Sequence, residues 1–244
     1  MATPFVFKNP NIYVGAYDLS TVFDEVSLAY GYDEVDITTY GDTCRHGIPG
    51  LPTTELMMTG PGTIDDDPLG SEDILAAQLI AAQSYTIAPL RTAGTTAKFS
   101  QMMPFANTVG GTVGEAYRVT ATGKGQSYQV IHGTVMATGE ETATDDGTAY
   151  ELGAVTATQY LYGCLHVLEV SGTNPTLDVI IASDDAEGMA SATTRLTFTQ
   201  KTAVGAQFIT PVAGAITDTW WRASWTIGGT ETPTFTFVVS VGIL

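Results

Sequence analysis

The chain has 244 residues, with 26 Asp and Glu against 9 Lys and Arg, giving a formal net charge of −17 and an isoelectric point near 4.2. A surface of that sign repels nucleic-acid phosphates and anionic lipid alike, which argues against a protein that works by gripping either. At 44% hydrophobic and 14% charged residues the composition is that of a folded chain, long enough to bury a core without help from metals or disulfides.

Taken in order, the chain starts with MATPFVFKNP, where Phe5 and Phe7 lie between Pro4 and Pro10. Those prolines interrupt any apolar leader, and the aromatic pair reads equally as an arm laid on a neighbouring surface or as a frayed terminus. No apolar run reaches membrane-spanning length, so synthesis and retention in a cytoplasm are expected. NIYVGAYDLS follows, and then Val26, Leu28 and Tyr30 alternate with Ser27, Ala29 and Gly31, the period of strands. Val35, Ile37 and Thr39 alternate with Asp36, Thr38 and Tyr40, and further on Leu56 and Met58 with Glu55 and Met57. Between these runs, Gly41, Gly47, Pro49, Gly50 and Pro52 oppose both a helix and an uninterrupted ladder. The prediction is two strands joined by a long, stiff loop over 39–54. Such a loop is longer than most hairpin connections and carries no catalytic cluster, so it suits contact with another subunit better than holding a substrate.

Asp65, Asp66 and Asp67 are adjacent, without the alternate-position ligands and closing Glu of a calcium loop, and read as an exposed acidic turn. Ser71 can cap a helix, with Glu72 and Asp73 in its first turn. Ile74, Leu75, Leu79 and Ala82 share one side, so a helix over 71–83 is expected to flank a sheet. From Ser84 onward nearly everything reads as strand and turn. The polar run TGEETATDDGT at 138–148 marks a division into 1–145 and 146–244. Beyond it, Tyr160–Val170 and Leu177–Ile181 are apolar on both faces. Leu196 and Phe198 alternate with Arg195, Thr197 and Thr199. Trp221, Ala223, Trp225 and Ile227 face one way, and across IGGTETP the run Phe235, Phe237, Val239 and Val241 is expected to return beside them as a hairpin. The fold class is all-β: a β-sandwich with one flanking α-helix and a long inter-strand loop, followed by a C-terminal β-sandwich region.

Signals for chemistry are sparse. Cys44 and Cys164 have no CxxC or Cys/His metal spacing and read as free thiols. His46, His132 and His166 form no HxH or HExxH pattern, and no phosphate or dinucleotide fingerprint occurs. Acid pairs such as Asp24/Glu25 and Asp184/Asp185 are expected by chance in so acidic a chain. No catalytic group, cofactor or metal is therefore expected. Trp221 and Trp225 alternate with Arg222 and Ser224, as in a core, although exposed tryptophans on a sandwich could instead stack on sugar rings.

Three stretches are familiar together: TTYGDTCRHGIPGLPTTELMMTG, YELGAVTATQYLYGCLHVLEVSG and TDTWWRASWTIGGTETPTFTFVVSVGI. They resemble the major tail protein, or tail tube protein, of long-tailed bacteriophages, over about Tyr13 to Leu244. The resemblance implies a structural virion protein with the tail-tube fold, whose subunits assemble into stacked, six-fold rings around a conduit for DNA. By position it implies ring contacts through Thr39, Tyr40, Gly41, Asp42, Arg45, Ile48, Pro49, Gly50 and Leu51, and through an arm bearing Phe5 and Phe7. Its implied partners are further copies of itself and the tape measure, tail terminator and distal tail proteins. DNA would pass without specific binding, no membrane would be involved, and the protein would reside in the virion. A binding class stays open beside it: a capsid decoration or host-surface protein that holds a glycan.

Overall fold

The computed structural model describes residues 10–62, 71–79 and 81–244. Phe5, Phe7 and the three aspartates at 65–67 lie outside the described residues. In order the chain forms β1 (Asn11–Val14), β2 (Tyr17–Asp18), β3 (Glu25–Asp36), β4 (Gly47–Pro61), the helix α1 (Ser71–Gln78), β5 (Gln83–Ala88), β6 (Thr96–Gly110), β7 (Arg118–Gly125) and β8 (Ile131–Glu141). There follow the short β9 (Asp145–Asp146) and β10 (Tyr150–Glu151), the long β11 (Tyr160–Asp184), then β12 (Thr193–Thr197), β13 (Gly205–Phe208), β14 (Val212–Ala213) and the long β15 (Trp220–Ile243). The protein is nearly all β, as its alternating patterns require.

Two compact units share the chain, and neither is continuous in sequence. The larger takes the described residues up to Thr21, Gln83–Ser100 and Ile131–Leu244; the smaller takes those of Val22–Ala82 and Gln101–Val130. This grouping differs from a division near residue 145. The polar run at 138–148 is not a hinge: β8 pairs with β15 from Gly133↔Gly242 to Glu141↔Phe235, and β9 continues along β15 at Asp145↔Trp225 and Asp146↔Ser224. Backbone pairing needs no apolar side chain. The segment is held further by the Trp225 Nε1–H donated to the Ala143 carbonyl at 3.1 Å and the Ile227 amide donated to Thr144 Oγ1 at 3.0 Å.

The larger unit is organised by β11 and β15. They pair antiparallel along their whole length, from Leu161↔Ile243 to Asp184↔Trp220. The expected hairpin across IGGTETP does not form. Residues 220–227 pair instead with the second half of β11, and 235–243 with its first half. Both strands bend at the same level. Gly172 and Asn174 on β11 take φ of 98° and 48°, facing Gly229, Glu231 and Thr232 on β15 at 127°, 59° and 48°. Left-handed residues re-aim a strand without ending it, so the sequence of a turn is used here as a corner. The halves on either side of the corner line one core. Leu161, Leu165, Val167, Phe237 and Val239 come from one side, and Leu177, Val179, Ile181, Trp221 and Trp225 from the other, with the Trp225 and Phe237 rings edge to face at 5.5 Å. The result is a sandwich whose two layers are built from the same pair of strands.

The outer face of the first halves carries a smaller apolar group, Tyr13, Ala88, Ala97, Val135 and Val238. Beside it His166 is fully buried. The Gly15 carbonyl, 2.8 Å from Nδ1, can only accept, so Nδ1 carries the proton and Nε2 accepts from the Thr86 hydroxyl at 2.9 Å. Burial holds this imidazole down to about 4, against a smaller opposing contribution from the Gly15 hydrogen bond. It is a satisfied core histidine that ties β11 to the β1–β2 turn and to β5.

The smaller unit is a four-stranded antiparallel sheet in the order β3, β4, β7 and the later part of β6. Leu56, Met58, Val119, Ala121 and Met102 are buried in it, and α1 packs against β7 with Ile74 and Leu75 buried. The helix ends at Gln78, earlier than the expected residue 83, and Leu79 is exposed rather than on the packed side. Gln78 takes a buried place instead.

Candidate interaction surface

β7 accompanies β4 only from Glu55↔Lys124 to Pro61↔Arg118, whereas β3 stays paired with β4 as far as Asp36↔Gly47. Residues 30–54 therefore extend beyond the four-stranded sheet as a two-stranded ribbon whose outer edges pair with no other strand among the described residues. Here the sequence expectation is corrected. Ile48, Pro49, Gly50 and Leu51 belong to a strand, and the connecting loop runs only from Ile37 to His46. The ladder is shifted once, between Tyr32 and Glu34, opposite Gly50 and Leu51. Pro49 and Pro52 are tolerated because no third strand seeks their missing N–H groups.

Both faces of the ribbon are wet and apolar. Tyr30, Tyr32, Val35, Ile48 and Leu51 are exposed, Leu51 at 79% of its full surface, and Tyr40 at the tip is completely exposed. A lone two-stranded ribbon is marginal in water, and contiguous exposed apolar surface on a folded protein marks a contact site. Alternation had placed Val35 and Ile37 in a strand; nothing in a single strand's pattern shows that the facing layer is absent. The tyrosines on either side of Gly31 were the available signal, since a strand carrying large aromatics beside glycine suits a surface that another chain covers.

The tip is rigid. Asp36 Oδ1 accepts from the Thr38 hydroxyl at 2.5 Å and amide at 2.9 Å, and Oδ2 from Arg45 Nε at 2.9 Å. Those bonds, the Thr38 hydroxyl first, hold the Asp36 carboxyl below its ordinary range. Asp42 Oδ2 accepts from the Thr39 amide at 2.6 Å and hydroxyl at 3.1 Å, and the His46 amide donates to Thr38 Oγ1 at 3.0 Å. Of the residues expected to make contacts, the loop thus brings together Thr39, Tyr40, Gly41, Asp42 and Arg45, and the strand presents Ile48 to Leu51. A tip already ordered loses little entropy on docking.

The opposite end of the same sheet, where β3 begins, is also fixed. Arg118 donates to both oxygens of Asp24, at 2.7 and 3.0 Å, and these bonds hold the Asp24 carboxyl down. A Cβ on Gly60 would meet the Val22 carbonyl oxygen at 2.4 Å, so the chain entering β3 crosses β4 at a distance only glycine permits. A groove of about 470 Å³ lies at the other end, where the ribbon leaves the sheet, lined by Tyr30, Asp33, Thr53, Glu55 and Lys124 among others.

Elsewhere the residues weighed for chemistry are used structurally. Trp221 is fully buried with its Nε1–H donated to the Gly153 carbonyl at 2.8 Å, and Trp225 is 6% exposed, so neither offers a ring face to a sugar. Asp184 accepts from the Ser191 and Asp185 amides, each at 2.7 Å. Among the described residues no three His, Cys, Asp or Glu side chains are grouped to hold a metal ion, and no helix is long and apolar enough to cross a membrane.

No protein-family model matches the chain, and no curated protein matches it. Among solved structures, it is similar to a component of the virion of a native gene transfer agent particle at 10% identity and a TM-score of 0.38, covering 50% of this chain and 95% of that one. It is similar also to the SPP1 Dit protein, described as a paradigm of hub adsorption apparatus in phages that infect Gram-positive hosts. That likeness has 12% identity and a TM-score of 0.39, and covers 97% of this chain and all of the other. Scores at this level establish no shared function.

Proposed function

We propose that this is a structural virion protein, the tail tube subunit of a long-tailed phage, which self-assembles into stacked rings that conduct DNA. The observation that carries the reading is the ribbon of β3 and β4: a rigid, solvent-exposed, apolar arm with open edges, built from the stretch TTYGDTCRHGIPGLPTTELMMTG that carries the family resemblance. An exposed arm that contacts a different patch on an identical neighbour makes a heterologous interface, the kind that generates rings and tubes. The net charge of −17 suits a conduit through which phosphates must slide without adhering. Six-fold rings, contacts from the arm bearing Phe5 and Phe7, and docking with tape measure, terminator and distal tail proteins belong to the same proposal.

Negative-stain microscopy of the concentrated chain, alone and with tail initiation components, tests it. Rings or tubes support the reading. A persistent monomer under both conditions overturns it.

A further inference from the structure

The ribbon tip also carries a group of side chains that docking does not require. Cys44 is exposed, and its Sγ lies 3.7 Å from His46 Nε2. Asp42 Oδ1 lies 3.9 Å from that same nitrogen, where it faces the charge the ring acquires on taking a proton. The placement is built in. Asp42 uses its other oxygen, Oδ2, to accept from Thr39, which leaves Oδ1 for the ring. His46 is fixed at both backbone groups: its amide donates to Thr38 Oγ1, and its carbonyl accepts the Ile37 amide at 2.9 Å. A thiol, a base within reach of its proton and a carboxylate beside the base are the components of an activated sulfur nucleophile. The other cysteine differs in access: Cys164 Sγ also lies 3.3 Å from an imidazole nitrogen, His166 Nε2, but no solvent reaches it. Cys164 is fully buried, and burial pushes its thiol up to about 12.

We propose that Cys44 is a thiol–disulfide exchange site that takes small, unhindered disulfides of the glutathione class, with His46 as the base and Asp42 as a positioning residue. His46 Nε2 takes the thiol proton, and the Cys44 thiolate attacks one sulfur of the disulfide. The new S–S bond forms as the old one breaks, and the departing thiolate receives the proton from the imidazolium. Cys44 is oxidised to the mixed disulfide, and one half of the reagent is reduced to its thiol. The tip is fully open to such a reagent in the isolated subunit, so the site does not depend on the tube reading.

The test uses the full-length unassembled chain with a chromogenic aromatic disulfide and with oxidised glutathione, following thiolate release and intact mass. One fast equivalent is expected in the native protein, with a second, from Cys164, only on unfolding. Cys44→Ser removes the fast equivalent. His46→Asn slows it about tenfold or more with unchanged circular dichroism, and Asp42→Asn slows it less. Two results overturn the assignment: a His46→Asn rate equal to that of the native protein, or a Cys44 rate no greater than that of a cysteine in an unstructured peptide.

Discussion

The sandwich and the ribbon are both made of antiparallel strands with alternating side chains, yet they spend their apolar residues in opposite ways. In the sandwich, β11 and β15 turn the same pair of strands into both layers, so Trp221, Phe235 and Phe237 are almost wholly removed from water and the indole N–H finds a carbonyl. In the ribbon, β3 and β4 have no facing layer among the described residues, and Tyr32, Leu51 and Tyr40 are exposed. What separates the two is the supply of a second layer within the chain, since hydrophobic content is ample in both. The sandwich supplies its own; among the described residues the ribbon has none.

Substitutions should break this contrast in a graded way. The largest effect is expected from Trp221→Ala, which opens a cavity in the sandwich and frees the Gly153 carbonyl; a loss of about 3–5 kcal/mol is expected, read from the denaturant midpoint. Next comes acid. His166 is held down to about 4 in the fold and titrates near 6.5 when unfolded. The unfolded chain therefore binds the extra proton first as pH falls between those values. The stability this histidine contributes is present in full above the unfolded value and lost as pH drops toward the folded one, by about 3 kcal/mol. Equilibrium unfolding across that window, compared with His166→Asn, measures it; a variant with the same slope would show that other groups govern acid unfolding.

Smaller effects belong to the ribbon. Asp36→Ala removes three hydrogen bonds at the exposed tip and should cost about 1 kcal/mol or less of local order, seen as faster amide exchange at Thr38 and His46 with an unchanged global midpoint. Leu51→Asp should change monomer stability by less than about 0.5 kcal/mol, because among the described residues nothing covers Leu51. If the ribbon docks as proposed, the same substitution abolishes rings and tubes under the microscope. A stability loss as large as that of a sandwich residue would mean that the ribbon is internally covered after all.

Much of the fold could be read from residue order, and the misses have one cause. Alternation reported correctly that the chain is all-β, that Leu196 and Phe198 are buried on a one-sided strand, and that Trp221 and Trp225 belong to a core. It could not report which strand lies beside which. IGGTETP has the composition of a reversal, and only the matching left-handed residues on β11 make it a corner in a continuous strand. TGEETATDDGT has the composition of a linker, but backbone pairing is indifferent to side-chain polarity. At the ribbon the mistake ran the other way. Gly47, Pro49 and Gly50 looked incompatible with a ladder, and they are compatible because one edge of β4 has no neighbour there. Of the residues expected to make contacts in 39–51, all but the half-buried Gly50 are exposed, and Phe5 and Phe7 lie outside the described residues; Tyr30, Tyr32, Val35 and Ile37 were missed as surface because a strand pattern does not reveal a missing layer.

The interleaving of the two units has a consequence for biosynthesis. A nascent chain that has emerged as far as Val130 already holds every described segment of the smaller unit, its arm included, but only the early strands of the larger one. The sandwich must wait for β15, whose partners in β11 were made 36 residues before at Asp184↔Trp220 and 82 before at Leu161↔Ile243. During that interval the exposed apolar arm is available to neighbours on the same polysome while the sandwich is unfinished, so, if the arm docks between copies as proposed, the order of synthesis itself sets a window in which premature pairing between growing chains has to be avoided.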